Sequence, residues 1–289
     1  MLKEVPQLEK LKSWIGRTET VVDEITVPSV RRINALLDHD PSRVSVGDIF
    51  PTGWQGTLCP PLARQSDVGE DGHPKRGGFI PPIPFARRMA ASVQMTFHSD
   101  LLVGDIVKRV SIIEDITSKK GRSGEIIFLT QKNDFLSPRG LAVTERHLAA
   151  FRDVTAGRET PPLGERASVK PEWQQTFTAD SVMVFRYAAV AFSGHRIHYD
   201  YQYGTKVESY ADVMVSGGLN LMLLFDLVRQ NVPRRLKNFS SRNLRPVYVG
   251  ERLHVCGAFR EDRQHLRLWI TDHDGILAVV ADAELDQPA

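Results

Sequence analysis

The stretch GGLNLMLLFDLVR, residues 217–229, has the spacing of a helix that is apolar on nearly every side. Such a helix is buried, because a surface helix keeps a polar face. Three β-branched runs follow it, and Asp272-His273-Asp274-Gly275 between the last two is typical of a hairpin turn. The pattern predicts an antiparallel meander that wraps one central helix. The runs are Arg252 to Phe259, His265 to Thr271 and Ile276 to Glu284.

The chain also carries a weak internal repeat, at an offset of about 150 residues. Thr26 and Thr178 are each predicted to cap a helix, because apolar residues at helical spacing follow both. Val103-Gly104-Asp105 and Val249-Gly250-Glu251 each precede a set of strand-like runs. In the first half these runs are Ile106 to Ile112, Glu125 to Gln131 and Gly140 to Arg152.

Two copies of this unit predict an α+β double hot dog, in which each unit is an antiparallel sheet wrapped around a central helix. The predicted units are residues 1–152 and 172–289, and the Gly-, Pro- and charge-rich segment 153–171 is predicted to link them. Residues 51–84 are dense in Pro and Gly where the first unit should have its helix, which indicates a lid-like loop folding over a pocket. We expect the first unit to have a degenerate site and the chain to have one active site.

Composition excludes several function classes. The 289 residues are 42% hydrophobic and 25% charged with a formal net charge of +2, so no large basic surface is available for nonspecific nucleic-acid binding. Cys59 and Cys256 are too few and too far apart for a zinc knuckle or a disulfide framework. The longest apolar stretch, Leu219 to Phe225, is far below the ~20 residues that span a bilayer. Residues 1–6 lack an apolar signal core, and we expect a cytoplasmic protein without nucleic-acid or membrane partners.

The densest group of titratable residues is SGHRIHYD, residues 193–200. It comes directly after the helix that Thr178 is predicted to cap. Ser193 and Gly194 should end that helix, so that His195 and His198 leave it on a loop. A neutral imidazole can hold a water molecule and exchange a proton near pH 7, as general acid–base catalysis requires. An exposed polar loop with two surface histidines is the alternative. A metal site is disfavoured, because no third ligand has a diagnostic spacing.

Gly217 and Gly218 begin the buried helix. Unpaired backbone N–H groups at the positive end of a helix dipole are suited to a developing oxyanion. Close packing of the helix against a neighbouring element accounts for the two glycines equally well.

These motifs resemble the MaoC-like hydratase and dehydratase superfamily, whose members carry D-x-N-P-x-H after a helix. Here S-G-H-R-I-H takes that place, with His198 on the family histidine, and YADVMVSG at 210–217 resembles the y-P-x-x-V-x-H-G that precedes the buried helix. One branch is more similar, that of fatty acid synthase-like and mitochondrial-type 3-hydroxyacyl-thioester dehydratases and of itaconyl-CoA/mesaconyl-CoA hydratases. It also resembles the chain at DGHP (71–74), GGFIPP (77–82), KGRSG (120–124) and RNLRP (242–246), and the similarity spans residues 14–284.

The resemblance implies a hydro-lyase that adds water reversibly to an enoyl-CoA thioester. Itaconyl-CoA or mesaconyl-CoA, giving citramalyl-CoA, is the favoured substrate. The runner-up is a (3R)-hydroxyacyl-thioester dehydratase of longer chains. An acyl-CoA thioesterase and a non-catalytic acyl-binding module are further alternatives. The resemblance implies no cofactor, since coenzyme A is part of the substrate, and a possible homodimer.

The chain departs from the superfamily where Ser193 replaces the Asp and His195 replaces the Asn. The family's Asp–His pair is therefore missing from this loop. We expect His195 and His198 to act as the catalytic pair, with Ser193 or Tyr199 as an auxiliary hydrogen-bonding group. The Gly217 N–H is expected to bind the thioester oxygen as it gains enolate charge.

Coenzyme A brings phosphates, so basic residues are expected at the mouth of a channel. Arg196 is the candidate for a carboxylate on the substrate, because it lies between the two histidines in sequence. A solvated surface is the more common role of any basic pair. The candidates for coenzyme A are Arg87, Arg88, Arg234, Arg235, Arg242 and Arg245.

Overall fold

Ten strands and four helices make up the part of the chain that the computed structural model describes, residues 8–121, 124–154 and 164–287. The helices are α1 (Leu8–Lys12), α2 (Val27–Leu36), α3 (Ser181–Val190) and α4 (Gly217–Asn231). The strands are β1 (Thr18–Glu24), β2 (Arg87–Phe97), β3 (Ile106–Gly121), β4 (Gly124–Ser137), β5 (Gly140–Arg152), β6 (Trp173–Thr178), β7 (Leu236–Asn243), β8 (Arg252–Phe259), β9 (His265–Asp272) and β10 (Leu277–Leu285).

The strands form one antiparallel sheet in the order β1-β3-β4-β5-β2-β7-β10-β9-β8-β6. Each half repeats the same connectivity. Its first strand (β1 or β6) is at the outer edge, its second strand (β2 or β7) is innermost, and its last three strands form a meander between them. The inner strands β2 and β7 pair with each other, with Met95 opposite Phe239. The internal repeat of the sequence is therefore a repeat of structure, and the two copies are joined edge to edge.

Helix α4 is the central helix of the second half. Leu219 and Leu224 are fully buried, and the helix contacts β6, β8 and β9. The ring of Phe225 lies 6.0 Å from that of Phe97 and 4.4 Å from that of Phe239, between centroids. Side chains of both halves thus pack on this helix in one hydrophobic core that spans the two halves. A separate cluster that includes Ile113, Ile127 and Phe151 packs on the first half's meander.

The first half differs at the position of its central helix. Residues 51–84 carry two short 3₁₀ turns, Trp54–Thr57 and Gln65–Asp67, and otherwise irregular backbone. Gly53 has φ 88°, and a Cβ there would lie 2.1 Å from the ring of Phe225, so the segment packs directly on α4. The sequence predicts one central helix for each unit. Among the described residues, the second half has its central helix, α4, and the first half has none at 51–84. The Pro and Gly density of 51–84 opposes a regular helix.

The meander strands and their turns follow the sequence closely. Strands β5 and β8 have the predicted bounds, and Gly275 closes the last hairpin with φ 78°. Thr26 caps α2, as predicted, by accepting a first-turn N–H at 3.2 Å. Thr178 does not cap α3, because β6 continues to that residue. Asp180 is the cap instead, and it accepts a first-turn N–H at 2.8 Å.

The predicted linker 153–171 includes residues 155–163, which lie outside the described residues. The division of the chain into units 1–152 and 172–289 stays a prediction. In the described part of the chain, no helix is long and apolar enough to cross a membrane.

Candidate active site

A cavity of about 680 Å³ lies where the two halves meet. The first half contributes residues of β2, β4 and β5 and of the irregular segment 51–84. The second half contributes residues of the SGHRIHYD loop, of the approach to α4 and its first turn, and of the segment after β7. The volume is within the range of small-molecule sites.

The SGHRIHYD loop brings both predicted histidines to this cavity. Helix α3 ends at Val190, and Phe192 takes a left-handed conformation that turns the chain. His195 and His198 lie at the two ends of a 3₁₀ turn and both line the cavity, with ring centroids 5.2 Å apart and planes at 88°. Ser193 lines the cavity as well.

His198 has a defined tautomer. Its Nδ1 lies 2.9 Å from the carbonyl oxygen of Met214, which can only accept a hydrogen bond, so Nδ1 carries the proton and Nε2 has the free lone pair. Burial and the neighbouring His195 lower the pKa of His198 to about 4. The ring is therefore neutral at pH 7, and Nε2 can accept a hydrogen bond from a water molecule or a substrate.

A third histidine, His73, comes from the first half. Its ring lies 4.3 Å from that of His195, between centroids, and its Nδ1 lies 3.4 Å from Asp71 Oδ2. Burial lowers the pKa of His73 to about 4, although Asp71 opposes the shift. Burial also acts to raise the pKa of Asp71, but the hydrogen bonds and charge of His73 hold it well below its usual range. The DGHP motif contains both residues, but nothing local in the sequence shows that this turn reaches the other half.

Two glycines allow the DGHP turn and the SGHRIHYD loop to meet backbone to backbone. A Cβ on Gly72, which has φ 87°, would lie 1.7 Å from the carbonyl oxygen of Gly194, and a Cβ on Gly194 would lie 2.7 Å from that of Gly72. The N–H of Arg196 donates to the Asp71 carbonyl at 2.9 Å. The first half therefore fixes the position of the second half's histidine loop.

Glu208 supplies a carboxylate behind His195. It is fully buried, and its Oε1 lies 3.7 Å from His195 Nε2. Neither carboxylate oxygen makes a hydrogen bond to a described residue. Arg87 donates Nε–H to the Glu208 carbonyl oxygen at 2.7 Å and so fixes the backbone there. The sequence gives no signal for this role, because Glu208 is an isolated acid that reaches the site through the π-helical turn Tyr203–Val207.

The two glycines at the start of α4 have different roles. Gly217 lines the cavity, and in the described part of the chain its N–H has no hydrogen-bond partner. A Cβ on Gly218 would lie 2.0 Å from the Tyr187 hydroxyl oxygen, so that glycine allows close packing. Asn220, one turn into the helix, lines the cavity at 4% exposure, and its Oδ1 has no hydrogen-bond partner among the described residues. The helix start thus offers an N–H and an amide to a bound molecule.

A second polar cluster lines the first-half side of the cavity. Glu145 is buried and accepts hydrogen bonds from Gln55 Nε2 and His147 Nε2, both at 2.8 Å. Burial acts to raise the pKa of Glu145, but His147 and Gln55 hold it below its usual range. Because these groups satisfy one another, the cluster stabilises the cavity wall.

Comparison with known proteins identifies the fold and the family. The model of the hydroxyacyl-thioester dehydratase type 2 family matches residues 53–249. The chain belongs to this family. It is 34% identical over 273 residues to the mesaconyl-C(4)-CoA hydratase of Chloroflexus aurantiacus, covering 94% of this chain and 97% of that relative.

Two solved structures show the fold. A MaoC-like dehydratase from Phytophthora capsici superposes with a TM-score of 0.70 at 14% identity, covering 98% of this chain and 100% of the other. A Mycobacterium tuberculosis protein described as a double hot dog has a TM-score of 0.58 at 11% identity, covering 97% and 98%. The double hot dog and the hydro-lyase class predicted from the sequence are thereby confirmed.

Two predicted members of this dehydratase-family site do not reach the cavity. Tyr199 is 55% exposed and donates its hydroxyl to the Gly194 carbonyl at 3.0 Å. The Arg196 guanidinium binds Asp200 Oδ2 at 3.0 and 2.7 Å and lies 4.2 Å from the Tyr203 ring centroid. The Gly194 main-chain carbonyl holds Tyr199 and Asp200 holds Arg196, and neither residue is in the cavity lining. The roles of Tyr199 as auxiliary group and of Arg196 as carboxylate ligand stay predictions.

Four of the arginines predicted at the channel mouth also lie outside the cavity lining. Arg87 is fully buried beneath Glu208, and Arg242 is exposed on β7. Arg234 donates to Gln264 Oε1 at 2.6 Å, and Arg235 lies 3.1 Å from Asp100 Oδ1. Both basic pairs stand at or just before the start of an inner strand, which the sequence pattern does not reveal.

The two remaining candidates line the cavity. Arg245 forms an ion pair with Asp272 at 2.6 Å. Arg88 has no such partner among the described residues.

The buried neutral histidines predict a pH-dependent stability. His73 and His198 have a pKa of about 4, against an ordinary value of 6.5, so the unfolded chain takes up protons more readily. Stability is full above pH 6.5 and falls as the pH decreases toward 4, by up to about 3 kcal/mol for each histidine. We expect urea unfolding at pH 7.5 and pH 5 to show this loss, and the variant His73→Gln to show about half of it.

The exposed His273 is the control for this experiment. The variant His273→Gln should keep the full pH dependence of the parent protein. If His73→Gln kept it as well, burial of the neutral His73 ring would not be its source.

Proposed function

We propose that the protein hydrates the double bond of a short dicarboxylic enoyl-CoA thioester, mesaconyl-CoA or itaconyl-CoA, to citramalyl-CoA. The observation that carries the proposal is the arrangement of His195 and His198 in one cavity with the unpaired N–H of Gly217. The relative named mesaconyl-C(4)-CoA hydratase supports the dicarboxylic substrate.

His198 is suited to hold the attacking water. Its neutral Nε2 can accept one hydrogen bond from the water, because Nδ1 is committed to Met214. His195 is the proton acceptor, since the carboxylate of Glu208 behind it can stabilise the imidazolium that forms. The water oxygen then forms a bond to the β-carbon as its proton passes to His195.

In mesaconyl-CoA, whose double bond is conjugated with the thioester, the electron pair of the double bond moves toward the thioester carbonyl and gives it enolate character. The double bond of itaconyl-CoA is not conjugated with the thioester, and a proton shift must bring it into conjugation before the same step. Gly217 donates its N–H to the thioester oxygen at the positive end of α4, where negative charge is favoured. The proton held by His195 is returned to the α-carbon, so that one water is added and the enzyme is regenerated. Dehydration is the same sequence reversed.

A (3R)-hydroxyacyl-thioester dehydratase acting on longer chains is the second candidate. The family name supports it, and so does a cavity that extends beyond the histidines to the cluster around Glu145. No observation of the site favours thioester hydrolysis or non-catalytic binding. A cytoplasmic location, the absence of a cofactor other than substrate coenzyme A, and a homodimer stay predictions.

The test is a panel of crotonyl-CoA, mesaconyl-CoA, itaconyl-CoA and a C8 enoyl-CoA. Loss of the conjugated absorbance and chromatography of the product report hydration, and a thiol reagent reports hydrolysis. Turnover that is fastest with the dicarboxylic substrates supports the proposal. Preference for the C8 substrate would favour the second candidate, and release of free thiol without hydration would overturn both.

We expect Glu208 to act on the reaction through His195. The variant Glu208→Gln keeps the shape of the side chain at 208 but removes its charge from behind His195. We expect kcat to fall about 10–100-fold with KM little changed, because the lost interaction is with a charge that forms only during the reaction. The acid and basic limbs of the kcat profile against pH should shift, which a purely structural role would not cause.

The matched control is Glu114→Gln, since Glu114 forms an ion pair with Arg146 outside the cavity lining. That variant should keep both kcat and the pH profile. A Glu208→Gln enzyme with unchanged kcat would show that His195 acts without a carboxylate.

A further inference from the structure

Arg88 is a cation of the cavity wall. Of the other arginines that line the cavity, Arg109 donates to the Cys59 carbonyl at 2.7 Å, Arg245 pairs with Asp272, and Arg152 also has a partner. The Arg88 guanidinium makes no hydrogen bond or ion pair with a described residue. Its nearest aromatic ring is that of Phe151, at 5.9 Å from Cζ to the centroid.

The position of Arg88 is at the catalytic end of the cavity. It begins β2 opposite Phe151, and its charge contributes to the low pKa of His73, whose ring packs on that of His195. Arg88 is itself partly buried, and burial together with the charge of Arg76 lowers its pKa. The charge of Asp71 opposes this shift but does not cancel it. A cation withdrawn from water is costly, so an anion bound beside Arg88 is favoured.

We propose that Arg88 binds the free carboxylate of the dicarboxylic acyl group and selects such substrates over monocarboxylic ones. The inference rests on the proposed function, which it deepens by naming the residue that recognises the substrate class. A guanidinium presents two parallel N–H groups to a carboxylate, which gives orientation as well as affinity. The carboxylate thereby fixes the double bond relative to His195 and His198.

The phosphates of coenzyme A are the other anions of the substrate. They need a site at the mouth of the cavity, where they remain partly hydrated. Arg88 instead lies over the Phe151 ring that Arg76 also contacts, and its charge acts on His73, whose ring packs on that of His195. The carboxylate is therefore the ligand that its position favours.

The experiment compares mesaconyl-CoA with crotonyl-CoA, which carries the same phosphates but no acyl carboxylate. In the variant Arg88→Met we expect the ratio of kcat/KM for mesaconyl-CoA to that for crotonyl-CoA to fall about 30-fold or more. Arg88→Lys should recover part of the ratio, because it restores the charge without the planar fork. Arg186→Met, an exposed arginine on α3 outside the cavity lining, should keep the ratio of the parent protein.

Binding of unreactive saturated thioesters gives a readout that does not depend on turnover. Succinyl-CoA carries the carboxylate and butyryl-CoA does not, so Arg88→Met should weaken the first selectively in a titration. Equal weakening of both would assign Arg88 to the coenzyme A phosphates, and no weakening of either would remove it from substrate binding. Both results overturn the inference.

The outcomes also separate this inference from the proposed function. If the parent protein hydrates mesaconyl-CoA and Arg88→Met leaves the ratio unchanged, only the assignment of Arg88 fails. If the parent protein hydrates crotonyl-CoA but neither dicarboxylic substrate, the proposed substrate class fails and the hydratase activity stands.

Discussion

Replacing His198 by alanine is expected to lower kcat/KM for hydration about 10²–10⁴-fold. The variant removes the neutral Nε2 that the hydrogen bond from Nδ1 to Met214 presents to the cavity. The water molecule then has no acceptor to orient it against the β-carbon. His195→Ala should lose activity to a similar extent, and the double variant should lose little more than either, because the two rings act on the same water and proton.

The control for this pair is His265→Ala, since His265 is exposed on β9 and paired with Asp262. It should retain the activity of the parent protein. Thermal unfolding and the chromatographic profile show whether each variant is folded. Folded His195→Ala and His198→Ala enzymes that hydrate crotonyl-CoA and mesaconyl-CoA like the parent would refute the catalytic assignment.

The parts of the fold that the sequence predicts well are those encoded by neighbouring residues. The apolar helix 217–229 and the β-branched runs of both meanders show their burial in their own spacing, and α4, β5 and β8 follow it closely. The inner strands β2 and β7 were not predicted. The basic pairs at the start of β2 and just before β7 indicate a binding surface as readily as the start of a strand.

The candidate site is only partly local, and this limits what the sequence shows. His195 and His198 are three residues apart, so their proximity is evident from the chain. His73 and Glu208 reach the same point from distant segments, through the contact of Gly72 with Gly194 and through a π-helical turn. Nothing in the sequence around Glu208 indicates that its carboxylate is buried, or that it makes no hydrogen bond to a described residue.

The first half therefore does more for the site than the prediction of a degenerate unit implies. Its irregular segment 51–84 provides His73 to the cavity wall. Its strand β2 provides Arg88. The first half thus contributes one wall of the cavity that the second half's histidine loop also lines.

The second large effect is expected at the start of α4, where Gly217→Pro removes a single N–H. Proline is well tolerated at the first position of a helix, and the preceding Ser216 already has ψ 136°, the conformation that a following proline favours. A Cβ at this site would meet only Asn243 Nδ2, at an ordinary 3.6 Å. The fold should therefore persist while the donor to the thioester oxygen is lost.

Loss of one oxyanion donor typically lowers kcat about 10²–10³-fold, and we expect this for Gly217→Pro in the hydration of crotonyl-CoA and mesaconyl-CoA. Gly217→Ala adds the Cβ but keeps the N–H, so it separates the loss of the donor from the added bulk and should lose far less. Because the donor acts on charge that forms in the reaction, the loss should be in kcat rather than in KM. Equal losses in both variants would show that space at Gly217, and not its N–H, is what the reaction requires.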